Sequence, residues 1–180
     1  MTSIIDKLPK NWESKLEYEL LLEQRNMYTK RAYICSPCSN DSKKTVYRNM
    51  RAARFYMYCV KNELGFIARA QHAYLPALLN DMMPLERAQA LRIGLQLLES
   101  NDFVLVCGDR ITSGMHGEIK HAAKLGIPIM VFHSETYINV RKIVTRAGAD
   151  KGLISFESKY PQLSMNAEDL FSNERETADG

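Results

Sequence analysis

Short unbroken apolar runs alternate with amphipathic helical stretches along this chain, and that alternation restricts the fold more than any other feature. The runs are Arg31–Cys35, Phe66–Ala70, Phe103–Cys107 and Ile127–Phe132, with Leu153–Phe156 as a short edge candidate. Phe103–Cys107 is the clearest, with two valines and no polar residue, too continuous for a half-exposed strand. Between the runs, spacing predicts helices over Trp12–Tyr28, Ser42–Leu64, Pro84 to the Asn101-Asp102 stop, Met115–Leu125 and Tyr137–Ala147. Strands that alternate with helices, each strand buried on both faces, predict an α/β domain with a mainly parallel sheet between helical layers. Right-handed crossovers then place the strand C-termini on one edge, where a ligand sits. The loops expected there are Ser36–Asp41, Ala70–Leu75 and Gly108–Gly114.

The helical stripes are explicit. Leu16, Leu20, Glu23 and Met27 share one side of the first helix. Val46, Met50, Ala53, Met57 and Val60 share one side of the second, and Gly65 is its C-terminal cap. Leu85, Ala88, Leu91, Leu95 and Leu98 form the expected buried stripe of the third. No apolar run reaches the ~18–20 residues of a membrane span. The opening MTSIIDKLPKNWE has no apolar core of a signal peptide, so a cytoplasmic protein with free thiols is expected. The expected organisation is a helical extension over 1–30, one domain over 31–156 and an acidic, flexible tail over 157–180.

Chemistry concentrates between Cys107 and Ile119, which reads CGDRITSGMHGEI. A buried strand ends, a Gly/Ser/Thr loop follows, and a helix begins. Gly108 and Gly114 allow the backbone to approach a ligand closely, and the helix start offers free N–H groups to an anion. Glu118 is expected in the first helical turn, where the helix dipole stabilises a carboxylate as nucleophile or base. The plain alternative is a Gly-rich connection with Glu118 as an N-terminal charge.

Tyr33-Ile34-Cys35-Ser36-Pro37, then Asn101-Asp102 before a strand, Gly108-Asp109-Arg110, Gly114-Met115, Glu118-Ile119 and Lys124-Leu125-Gly126-Ile127-Pro128 occur in a telling order and spacing. Together they resemble the nucleoside 2-deoxyribosyltransferase superfamily over about residues 31–133, closest to a short branch found in phages and bacteria. The resemblance implies a flavodoxin/Rossmann-like three-layer sandwich that cleaves or exchanges the bond between a base and a (deoxy)ribose. It implies Glu118 as the nucleophile at the anomeric carbon and Tyr33 as the residue that positions it or the sugar. Asp109 joins them as a third catalytic candidate. Cys35, Ser36, Pro37, His72, Gly108, Arg110, Ser113, Gly114 and Met115 are the candidates for substrate contact. Homodimers or larger assemblies are implied too, and the leucine-rich 16–22 and 74–79 segments are available to bury against a second subunit. The transferases carry an acid that protonates the leaving base; its place here is Gly94. His72, Asp81 or Asp109 is left to replace it, or the protein binds a nucleotide without turning it over.

Other constellations carry other chemistries. Cys35-Ser36-Pro37-Cys38 has the spacing of a dithiol redox motif, but Ser39-Asn40-Asp41 separates it from the next helix, whose N-terminus would lower the thiol pKa. A second Cys pair for zinc is absent, and His116 and His121 are off the same-face helical spacing, so neither a metal nor another cofactor is expected. Lys43, Lys44, Arg48, Arg51 and Arg54 hold much of the positive charge. Residues 151–180 are net −3 and the rest is +6, a balance too mild for nucleic-acid binding. Part of that excess is placed where a nucleotide phosphate could be held. Three functions fit these residues. They are a nucleoside or nucleotide N-glycosidase or deoxyribosyltransferase, a non-catalytic receptor for a nucleotide or nucleotide signal, and a dithiol redox protein.

Overall fold

The computed structural model describes residues 8–23, 30–38, 42–80, 82–149 and 154–172. Five strands, β1 (Arg31–Cys35), β2 (Ile67–Arg69), β3 (Phe103–Val106), β4 (Ile129–Val131) and β5 (Ile154–Phe156), form one sheet in the order β2-β1-β3-β4-β5. Every pairing is parallel. The helices are α1 (Trp12–Glu23), α2 (Lys43–Cys59), α3 (Pro84–Glu99), α4 (Ser113–Leu125), α5 (Ser134–Arg146) and the short α6 (Ala167–Leu170). The architecture is the expected flavodoxin/Rossmann-like three-layer sandwich, with the chain reversing its direction of sheet growth between β1 and β3.

Alternation along β1 explains the layers. Ala32 and Ile34 face a core shared with Trp12, Leu16, Phe55, Met57 and Val60. Tyr33 and Cys35 face the opposite core, with Met115, Ile119, Val140 and Val144. Trp12 packs edge-on against Phe55 and Tyr58, so α1 belongs to the first core. Leu16 is buried there, which withdraws it from any contact with a second subunit. The side chains of Leu20, Leu21, Leu22 and Glu23, together with Met27, lie outside the described residues. Cys59 ends α2, and Val60–Leu64 continues as one wider π-type turn closed by Gly65 at φ 68°.

Two expectations change. In α3 the leucine stripe is buried only at its C-terminal end: Leu85 is 87% exposed and Leu91 45%, while Leu98 is buried, as is Gly94. The helix has the periodicity of a core helix, but its first turns overhang the protein. The C-terminal segment is built into the fold rather than free through residue 172. Leu163, Leu170 and Phe171 are buried in the first core, the Tyr56 hydroxyl donates to the Met165 carbonyl, and Arg51 lies 4.4 Å over the Phe171 ring. The apolar residues at its i, i+3 and i+4 positions outweigh its acidic composition. Residues 173–180 lie outside the described residues. Among the described residues, no helix is long and apolar enough to cross a membrane.

Candidate functional site

Three adjacent strands, β2, β1 and β3, deliver their following segments to one edge of the sheet, and a cavity opens there. It is lined in part by Ser36 and Cys38 after β1, Gln71 and His72 after β2, and Thr112, Gly114, Met115 and Glu118 after β3. Leu75, Pro76, Arg87 and Leu91 complete much of its wall. The space it encloses is about 670 Å³ with the open mouth included.

Glu118 is the centre of this arrangement and is only 5% exposed. It lies in the second turn of α4 rather than the first, because Thr112 caps the helix and starts it at Ser113. The dipole acts mainly within the first turn, so side chains hold this carboxylate instead. The Tyr33 hydroxyl and Gln71 Nε2 each donate to Glu118 Oε1 at 3.0 Å, and His72 Nε2 lies 3.5 Å from the same oxygen. Oε2 has no hydrogen-bond partner among the described residues, and neither do Ser36 Oγ or Gln71 Oε1. A ligand with hydroxyl or amino donors would satisfy Glu118 Oε2 and Ser36 Oγ, while Gln71 Oε1 is turned against Gly94.

Burial first, then the neighbouring Glu118 charge, pushes the Tyr33 phenol well above its ordinary pKa, so it remains a donor. Burial alone would lower the pKa of His72. Its hydrogen bonds to Cys38 and Glu118, with the Glu118 charge, overcome that and raise it to about 10. The His72 ring is therefore an imidazolium at neutral pH. Cys35 is fully buried, its Sγ 4.0 Å from the Met115 carbonyl, and burial raises its thiol pKa well above normal. That is opposite to the lowered pKa of a redox thiol. Cys38, Cys59 and Cys107 are free as well.

The structure divides the other expected residues. Ser36, His72, Gly114 and Met115 line the cavity, whereas Cys35, Pro37, Gly108, Asp109, Arg110 and Ser113 do not. The loop after β3 splits in two. Gly108 takes φ 88°, lies against Pro37 and Tyr56, and donates its N–H to the Leu163 carbonyl. Asp109 accepts from Asn166 Nδ2 at 2.9 Å, and Arg110 makes an exposed ion pair with Glu168. These residues tie down the C-terminal segment, which the acidic composition alone predicts to be free. Asp81 lies outside the described residues. None of Lys43, Lys44, Arg48, Arg51 and Arg54 lines the cavity. Arg51 and Arg54 reach Glu13, and Arg54 also donates to the Ala73 carbonyl. The guanidinium at the cavity is that of Arg87.

Gln71 escaped the sequence reading, and its signal was Gly94. A Cβ at Gly94 would lie 1.8 Å from Gln71 Oε1. The missing side chain leaves a notch in α3, and the Gln71 amide fills it on its way to Glu118.

Fold and site together define an open parallel α/β protein with a buried carboxylate in a cavity at the strand C-termini. Residues 30–132 match a family described as Domain of unknown function (DUF7768), more than half of the chain, and the chain belongs to that family. No curated protein matches the sequence. Among solved structures it is similar to a 2-deoxyribosyltransferase from the psychrotolerant bacterium Bacillus psychrosaccharolyticus. The identity is 18% and the TM-score 0.44, over 57% of this chain and 72% of that one.

Proposed function

We propose that this protein acts on the base–sugar bond of a nucleoside or nucleotide, as an N-glycosidase or deoxyribosyltransferase, with Glu118 attacking the anomeric carbon. The observation that carries this reading is the state of the Glu118 carboxylate. One oxygen is fixed by three side chains while the other lies buried and unpartnered beside the cavity at the sheet edge. Departure of a base from a sugar develops an oxocarbenium-like centre, and a carboxylate fixed beside it stabilises that charge or bonds to it. Tyr33 and Gln71 orient Glu118, and Ser36, Gly114 and Met115 face the sugar. The sequence resemblance over residues 31–133 supplies the substrate class. Incubation with a panel of nucleosides, deoxynucleosides, their monophosphates and NAD is expected to release free base, and Glu118→Ala to abolish the release. Equal inactivity of both proteins across the panel would refute the reading.

A second reading is a receptor that holds a nucleotide without turnover. The glycine at position 94, its space taken by Gln71, favours it. Calorimetry showing tight binding with no product would establish it. A homo-oligomer is part of the same proposal, and the mass of the protein in solution tests it.

A further inference from the structure

We propose, on the glycosyl-transfer reading above, that His72 is the proton carrier of this site, and that the charge of Glu118 controls when it gives up its proton.

Position 94 cannot carry an acid without expelling Gln71, since even a Cβ would overlap its amide. Asp109 is turned away from the cavity and bonded to Asn166. Among the described residues, the titratable side chains that line the cavity are Cys38, His72, Arg87 and Glu118. Of these, His72 has a ring nitrogen 3.5 Å from the Glu118 carboxylate and is itself buried. Among the described residues, the charged and titratable groups around the turn that carries it are Glu118 on α4, Cys38 after β1, Arg87 on α3, Arg54 on α2 and Tyr74, which directly follows the turn. Arg54 is bonded to the neighbouring Ala73 carbonyl. Glu118 is the one carboxylate in that set, and His72 owes its protonated state largely to it and to the bond with Cys38.

That dependence supplies a timing device. Glu118 Oε2 bonds to the anomeric carbon and becomes a neutral ester. The carbon–nitrogen bond breaks, and its electron pair stays on the base. With the negative charge gone, Glu118 no longer holds the His72 proton, and burial, which favours the neutral ring, is opposed only by the bond with Cys38. The imidazolium therefore gives its proton to the departing base. In the second half, a water oxygen attacks the anomeric carbon, His72 takes the water proton, and the ester bond breaks to restore the Glu118 carboxylate. The sum is nucleoside plus water to free base plus free sugar.

Two measurements on the full chain test this. The first follows the His72 ring by nitrogen-15 NMR against pH. Wild-type His72 should stay protonated well above neutrality, and Glu118→Gln should lower its midpoint by roughly 1–3 pH units, the usual effect of removing one adjacent opposite charge. A His72 that titrates near its ordinary value in wild type and does not respond to Glu118→Gln overturns the inference, whatever the activity. The second compares leaving groups. His72→Gln should reduce base release from a purine nucleoside by about 10²–10⁴-fold, the usual share of a general acid. It should spare only the first-turnover burst of p-nitrophenolate from p-nitrophenyl riboside, because that leaving group needs no proton, while later turnovers slow on both substrates because His72 also takes the water proton. Equal losses in the first turnover of the two substrates overturn the proton-carrier role. The two claims fail separately. An uncoupled His72 with Glu118-dependent base release sinks this inference alone. A coupled His72 with no base release from any substrate sinks the glycosyl-transfer reading and the catalytic role with it.

Discussion

Tyr33, Gln71, His72 and Glu118 come from three separate stretches of chain and meet at one oxygen atom. Each donor to that oxygen can be tested. Tyr33→Phe keeps the ring in its buried slot and removes one donor to a charged acceptor, a bond worth about 1.5–3 kcal/mol. Denaturant unfolding should show a loss of that order, with the fold retained. His72 links the site to pH. Its pKa is raised from 6.5 to about 10 in the folded protein. A raised pKa means that the folded state holds the proton more tightly. The stabilisation is complete below the unfolded value near 6.5 and is lost as pH rises through about 10. Unfolding midpoints of wild type should therefore decline between those limits more steeply than those of His72→Gln. At this scale, Glu118 was legible from its place after a Gly-containing loop at a helix start, and Tyr33 only through the family resemblance. Gln71 was not, because its role depends on an absent side chain at Gly94, 23 residues further along the chain.

The elements show what periodicity can and cannot reveal. The alternation along β1 and, on α2, Met50, Ala53 and Met57, continued by Val60 in the π-type turn, correspond to buried faces, while Val46 at the start of the stripe is only half-buried. The stripe of α3 misleads, because periodicity gives the direction of a face but not how much of the helix has a neighbour. Gly94 is the position where that helix meets the site. Gly94→Ala removes a poor helix former, worth about 1 kcal/mol in a helix interior. The new methyl group displaces only the flexible end of Gln71. The lost Gln71 donor to Glu118, worth about 1.5–3 kcal/mol, outweighs that gain, so the melting temperature should fall slightly, and base release falls as well. A variant that keeps full activity would show that the notch has no part in the site. Thr112 teaches a related lesson. As the cap it starts α4 two residues earlier than the apolar pattern does, which moves Glu118 out of the reach of the helix dipole.

Across the whole molecule, the family match stops at residue 132, but the core does not. Trp12 and Leu16 at one end and Leu163, Leu170 and Phe171 at the other bury into the same layer as α2. Asn166 holds Asp109 and the Leu163 carbonyl holds Gly108, so the C-terminal segment braces the first half of the loop whose second half reaches the cavity. Phe171→Ala should cost about 3–5 kcal/mol, the usual range for a buried phenylalanine, read as a shift of the urea midpoint. An unchanged midpoint would mean that the segment does not belong to the cooperative unit.

The sequence by itself determined the class of fold, because unbroken apolar runs between amphipathic helices bury only in a parallel sheet covered on both faces. It also determined which loops gather at the ligand edge, since right-handed crossovers leave no choice of side. Only the tertiary structure decided which residues of those loops face one another. Asp109 and Arg110 share a motif with Glu118, yet they turn toward the C-terminal segment, while Gln71 and His72 reach Glu118 from another strand. The reason is physical. Hydrophobic periodicity is a property of neighbouring residues and survives in one dimension. The partners of a buried carboxylate are set by the packing of distant segments, down to the space left by one missing Cβ.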